Sequence, residues 1–280
     1  MIEKLDCHMH IWRLQRGDYD WLTPDLESIY RDFGIEDVWD EAQACGVRQV
    51  ILVQAAASAA ETDFLLHVAE TDRRVAGVVG WVDFEADDAA EQITRRADNS
   101  DLLGLRPMIA DLSDPLWILK EACAPALESL QGNGLVFDAH AHPDLVPVMT
   151  RMAARYPYLT IVLNHAGKPQ IASSNLDAWR RDIDELARHE NVSCKLSGLL
   201  TEAGARTDDA AIGEVVRHIG ACFGPERLLW GSDWPVLTMA GNYTGWAAQS
   251  ERLVDQYYPG HAEAIFSGNA KRIYSRKAGV

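Results

Sequence analysis

The sequence has no apolar run long enough to cross a membrane, no block of basic residues and no C-x-x-C pair. Each absence removes a class of function. A membrane helix needs roughly 18 or more consecutive apolar residues, and binding to nucleic acid or anionic lipid needs Lys and Arg to displace counterions from phosphate. Here 26 Lys+Arg face 42 Asp+Glu, a net charge of −16, so neither is expected as a partner. The five cysteines, Cys7, Cys45, Cys123, Cys194 and Cys222, are odd in number and widely scattered, which predicts free, buried thiols in place of a disulfide framework. The first residues, MIEKLD, lead into a strand-like run without an apolar targeting segment, and a cytoplasmic location is the expectation. Disorder is excluded by the composition: 280 residues that are 48% apolar and 24% charged describe a globular chain.

What the chain does have is a repeat of short, β-branched runs: 4–10, 47–54, 75–82, 102–108, 134–141, 159–166, 192–198 and 228–234. Stretches with helical spacing separate them, at 37–45, 61–70, 88–97, 115–130, 145–155, 176–189 and 209–222. Strand starts lie 25 to 43 residues apart, close to the thirty or so that one βα unit requires. Eight such units, with near-continuous apolar strands, predict an α/β fold of the closed (β/α)8 barrel type, a single domain over 1–280. An open doubly wound sheet is the rival architecture. Against it, no G-x-G-x-x-G follows the first strand, and polar residues gather at the ends of many strands. The long connection 12–36, with Trp12, Tyr19, Trp21 and Tyr30, is expected to act as a lid.

A barrel of this kind builds its site at the C-terminal ends of its strands. Five of the nine histidines fall there: His8, His10, His140, His142 and His165. His8 and His10 are two apart, so on a strand they share one face. Asp233, in WGSDWP, ends the eighth strand, which must close against the first and bring a carboxylate beside the histidine pair. His165, in LNHAG, ends the sixth and faces them across the mouth.

In order along the chain, DCHMHIW (6–12), GVVGWVDF (77–84), GLRPM (104–108), IVLNHAGKP (161–169), CKLSGLLTEA (194–203), FGPERLLWGSDWPV (223–236) and IFSGNAKRIY (265–274) make nearly the whole sequence similar to the amidohydrolase superfamily. The fuller resemblance is to its lactonase branch of sugar-acid and pyrone-dicarboxylate lactonases, nearest to sugar lactonases of the L-fuconolactonase and L-rhamnonolactonase type. That resemblance implies an amidohydrolase-type TIM barrel whose site holds His8, His10, His165 and Asp233. The chain departs from the binuclear members, which take a bridging Lys or Glu from strand four or five; strand four here carries Arg106, which cannot bridge cations. The lactonase branch includes members that work without metal, so no cofactor is required by the resemblance. If one zinc binds, His8, His10 and Asp233 are its candidate ligands.

Opening a lactone requires a base for water, donors for the developing oxyanion and contacts that orient the ring. Asp233 is assigned as the base, with His8, His10, His165 and Arg106 holding water and stabilising charge; a clamp on a neighbouring carboxylate is the other reading of Arg106. Trp12, Trp81 and Trp234 are candidates for stacking on a sugar ring, with core packing as the alternative. Lys195, Ser197 and Glu202 are candidates for substrate hydroxyls, although Lys195 has pairing with an acidic neighbour as an equal alternative. His140 is expected to hydrogen-bond at the site; a second metal site formed with His142 is less favoured. With Arg106 the one arginine firmly placed and Asp83 and Glu202 near strand ends, a neutral aldono-1,4- or 1,5-lactone of a hexose or 6-deoxyhexose is the expected substrate. A dicarboxylate lactone, a zinc-dependent decarboxylation and a barrel that binds a sugar acid without turnover are the alternatives.

Overall fold

The computed structural model describes residues 2–275. Strands β1 (Lys4–Met9), β2 (Val47–Val53), β3 (Val75–Gly80), β4 (Leu102–Leu105), β5 (Val136–Ala139), β6 (Ile161–Leu163), β7 (Val192–Leu196) and β8 (Leu228–Trp230) pair in sequence order, each parallel to the next. Between them run α1 (Trp39–Ala44), α2 (Ala59–Thr71), α3 (Ala89–Ala97), α4 (Ala124–Gly132), α5 (Val146–Arg155), α6 (Asp177–Leu186) and α7 (Asp209–Phe223). The eight-unit barrel is therefore as the repeat predicts. Among the described residues no helix is long and apolar enough to cross a membrane.

The strands are buried on both faces because each face has its own partner. Val50, Leu52, Val78, Phe137, Cys194 and Trp230 pack outward under the helices, while Leu5, Cys7, Ile51, Val53, Val79, Val136, Val162 and Leu229 fill the barrel. Helix α9 (Asn269–Ile273) inserts Ala270 and Tyr274 into that inner cluster from the end where the strands begin. Asn269 fixes it there by donating to the carbonyls of Pro225 and Leu228, both at 2.8 Å.

Several strands end earlier than their apolar runs suggest, and this matters for the site. β6 stops at Leu163 and β8 at Trp230, so His165 and Asp233 sit in turns beyond the sheet. The 115–130 stretch is helical only from Ala124; ahead of it lie the 3-10 turns Trp117–Leu119 and Glu121–Cys123. Pro125 in the first turn of α4 fits a helix start, whereas in the interior of one long helix it would break the hydrogen-bond ladder. Helix α8 (Tyr243–Tyr257) packs against β8, with Trp246 donating to the Gly231 carbonyl at 2.9 Å.

Residues 12–36 pack down as a wall beside the mouth. Trp12 and Phe33 exchange backbone hydrogen bonds, Tyr19, Leu22, Ile29 and Phe33 are buried, and the Trp21 indole donates to the Ala55 carbonyl at 2.6 Å.

Candidate active site

The barrel closes through its own candidate site. The β8-to-β1 seam is made by the turn after β8: Asp233 N donates to His8 O and His10 N donates to Trp234 O, each at 2.8 Å. Gly231 permits this approach, since a Cβ there would lie 2.7 Å from His8 Cβ. Asp6 braces the seam, accepting from Ser232 N at 2.8 Å, His8 N at 3.2 Å and the Tyr243 hydroxyl at 2.8 Å. Burial raises the Asp6 pKa.

The pairing of β1 with β2 slips by one residue between Asp6 and Met9. Below the slip, Leu5 and Cys7 face the barrel interior and Asp6 faces α8; above it, His8 and His10 are turned inward. A bulge of this kind re-aims side chains, and here it delivers both imidazoles to Asp233. Asp233 Oδ1 lies 3.3 Å from His10 Nε2, 3.6 Å from His8 Nε2 and 3.8 Å from His165 Nε2. Asp233 and His165 adopt left-handed backbone, with φ of 62° and 52°. Such strain costs of order 1–3 kcal/mol per residue and gathers at functional sites.

Each imidazole is oriented by its other nitrogen. His10 donates from Nδ1 to the Val53 carbonyl at 2.7 Å, which leaves the Nε2 lone pair turned toward Asp233. His165 Nδ1 is 2.9 Å from Ser197 Oγ. His8 stands between two cations: Lys195 Nζ is 3.2 Å from Nδ1 and Arg106 Nη1 is 3.4 Å from Nε2. Both neighbours only donate, and a neutral imidazole accepts at one of its two nitrogens, so one contact is a hydrogen bond and the other an approach of two donors that disfavours the cation further. Burial first, then Lys195 and the surrounding histidines and Arg106, push the His8 pKa well below the usual histidine value. Burial likewise lowers His10 and takes His165 down to about 3. Burial alone would raise Asp233, but His165, His10 and Lys168 outweigh it and hold the carboxyl at about 2. At neutral pH the arrangement is an ionised carboxylate ringed by neutral imidazoles.

His10 Nε2 and Asp233 Oδ1 are two acceptors facing each other at 3.3 Å, an arrangement that a cation satisfies. His8, His10 and Asp233 are buried and converge, and this nitrogen and oxygen set suits zinc. A divalent ion fits these residues.

The remaining candidates divide. Arg106 is buried at the mouth, donating from Nη2 to the Gln54 carbonyl while its own carbonyl accepts from Gln54 Nε2 at 2.5 Å. Its tie is thus to backbone, not to a carboxylate clamp. His140 lines the mouth, its ring 6.4 Å from that of His165, with Nδ1 buried and unpaired. Burial, Arg106 and Lys168 lower its pKa strongly. Trp81 is half-buried at the end of β3. By contrast, Trp12 is wholly buried and its indole donates to the Arg31 carbonyl at 2.8 Å, so it is a core residue of the 12–36 wall. Trp234 is also packed away, edge-on to Phe33 at 5.2 Å. Lys195 lies beneath His8, wholly buried and paired with Asp138 at 2.5 Å, too deep for substrate hydroxyls. Tyr274 completes that pair by donating to Asp138 at 2.6 Å. Glu202 is taken by Lys168 at 2.7 Å. Lys168, Gln54, Asp138 and Tyr274 are the site residues that sequence reasoning misses, although Lys168 lies in the motif IVLNHAGKP and Asp138 just before the AHAH run.

Comparison with known proteins finds matches along nearly the whole chain. A sequence model described as amidohydrolase matches residues 5–276. An L-fucono-1,5-lactonase of Burkholderia ambifaria is 41% identical over 278 residues, covering 98% of this chain and 96% of that protein. An L-fucono-1,5-lactonase of Burkholderia multivorans is 34% identical, with 97% and 96% covered. The crystal structure of an amidohydrolase from Burkholderia multivorans with bound zinc superposes with a TM-score of 0.92 at 33% identity, over 98% of this chain and 100% of that one.

Proposed function

This chain belongs to the amidohydrolase family, and from that premise we propose that it hydrolyses a sugar-acid lactone, an aldono-1,5- or 1,4-lactone of the 6-deoxyhexose class, in carbohydrate catabolism. The L-fucono-1,5-lactonases among its relatives support the substrate class. The observation that carries the reading is Asp233: a carboxylate held ionised, with a pKa of about 2, at the focus of three imidazoles and beside Arg106.

Water held among His8, His10 and His165 attacks the lactone carbonyl. As the new C–O bond forms, that water becomes strongly acidic, so even a weakly basic carboxylate takes its proton. Asp233 then returns the proton to the ring oxygen as the acyl C–O bond breaks, and the product is the open hydroxy acid. Arg106 stabilises the oxyanion that develops between these events. A divalent cation held by His8, His10 and Asp233 would add Lewis-acid polarisation of the carbonyl. His140 and Trp81 supply a hydrogen bond and an apolar face for the ring.

Arg106 is the one arginine buried among the described residues, and Lys168 at the mouth is neutralised by Glu202. That charge balance favours a neutral lactone over a dicarboxylate. The free cysteines are consistent with a reducing, cytoplasmic setting.

The test is proton release on a panel of aldono-1,4- and 1,5-lactones, with pyrone dicarboxylate and an aromatic carboxylic acid included, with and without chelator and with spontaneous hydrolysis subtracted. Turnover of sugar lactones that falls at least about 10²-fold in Asp233→Asn is expected. Silence across all sugar lactones, or an Asp233→Asn variant with near-full activity, overturns the proposal.

A further inference from the structure

A second group of metal-type donors lies on the outside of the barrel. Asp184 near the end of α6, and His218 and Cys222 one helical turn apart on α7, bring Oδ1, Nε2 and Sγ together. Cys222 Sγ is 2.8 Å from Asp184 Oδ1 and 3.5 Å from His218 Nε2, and Nε2 is 3.8 Å from Oδ1. Both helices run antiparallel to the strands, so this cluster sits toward the end where the strands begin, opposite the mouth.

We propose that Asp184, His218 and Cys222 form a separate surface site for a borderline-soft divalent cation, zinc in the first instance, that staples α6 to α7. Zinc bonds of about 2.0–2.3 Å in tetrahedral array set donor-to-donor distances of roughly 3.3–3.6 Å. The His218–Cys222 separation already has that length, because residues four apart on a helix present their side chains on one face. The Asp184 distances need adjustments of about 0.2–0.8 Å on the same geometry. Asp184 can make them, since its side chain is 60% exposed, whereas that of His218 is 17% exposed. The fourth position faces solvent through the exposed Asp184 side.

The partners of these groups leave the site available. His218 Nε2 is otherwise engaged with the Arg180 carbonyl at 3.2 Å, a weak contact that a tautomer change releases. Arg180 itself is occupied by Asp177 and Glu214. A reactive thiol does not explain the cluster, because Cys222 donates its proton to Asp184 and burial pushes the thiol up to about 12. A cation replaces that proton and turns the Sγ···Oδ1 hydrogen bond into two ligand bonds.

The mouth cluster contains no sulfur, so a thiolate-to-metal signal distinguishes the two sites. Titration of the metal-free protein with Co2+ is expected to give a thiolate-to-cobalt charge-transfer absorption whose full amplitude corresponds to one thiolate-bound Co2+ per chain and which is displaced by Zn2+. The band persists in His8→Ala and disappears in Cys222→Ser. The exposed variant Asp184→Asn keeps the fold and weakens Co2+ binding by about tenfold or more. Because Trp179 packs 5.1 Å from the His218 ring, zinc also changes tryptophan emission in His8→Ala, where the mouth cluster lacks a ligand, but not when His218→Ala is added to it. Lactone turnover is unchanged in Cys222→Ser. Absence of the band in the wild type, or its survival in Cys222→Ser, overturns the proposal.

Discussion

Gly198→Ala isolates the placement of His165. Gly198 has φ of 62°, and a Cβ built on it would lie 2.4 Å from His165 Nδ1 and 2.7 Å from Cγ. Ordinary contact begins near 3.4–3.5 Å, so the ring must retreat by about 1 Å. That retreat breaks the present placement of Nδ1 against Ser197 and shifts Nε2 relative to Asp233. A displacement of this size costs about 10²-fold in kcat when the displaced group acts on the reaction. The left-handed backbone adds about 1–2 kcal/mol of destabilisation, or a few degrees of Tm. Gly260→Ala provides the control, since φ there is 85° and a Cβ meets nothing within 4 Å. Proton release on the best lactone and thermal unfolding of both variants give the comparison. Both lose Tm, and only Gly198→Ala loses kcat. Equal kcat in the two variants at comparable Tm would refute the role given to the His165 ring.

Stability should rise with pH from about 3 to 6.5, because histidines kept neutral in the folded state bind protons when unfolded; each contributes a slope of about 1.4 kcal/mol per pH unit. Urea denaturation across that range should show His165→Gln losing one such increment, in line with the folded value of about 3, and an unchanged slope contradicts the assignment. Arg106→Lys should lower kcat about 10²- to 10³-fold, since an ammonium cannot span both the Gln54 carbonyl and His8; steady-state kinetics that match the wild type would remove Arg106 from the oxyanion role. Glu61 is buried, accepts from Ala55 N at 2.9 Å and from Ala56 N, and is pushed up to about 7, chiefly by burial. A raised carboxyl costs stability as pH climbs from the unfolded value of about 4.3 through the folded one, so Glu61→Gln should gain up to roughly 3 kcal/mol above pH 7 and little below pH 4. A gain independent of pH would count against that account.

Local pattern determined a large share of this protein. Repeated β-branched runs at βα spacing imply the barrel, because strands covered on both faces have no other way to be apolar throughout. The position of polar residues at the ends of those runs points to His8, His10, His165, Arg106 and Asp233, and the fold brings all five to one mouth. The rest was decided by pairing at long range. Simple alternation puts Asp6 and His8 on one face, and only the one-residue slip against β2 sends Asp6 to α8 and His8 inward. Likewise, nothing local separates Lys195 from Lys168: one is sealed under His8 by Asp138 and the other reaches the mouth beside Glu202. Trp12 and Trp234 look like sugar platforms until the 12–36 segment packs over them. Hydrophobic period records which residues leave water, whereas depth in the barrel depends on register and on what the distant connections cover.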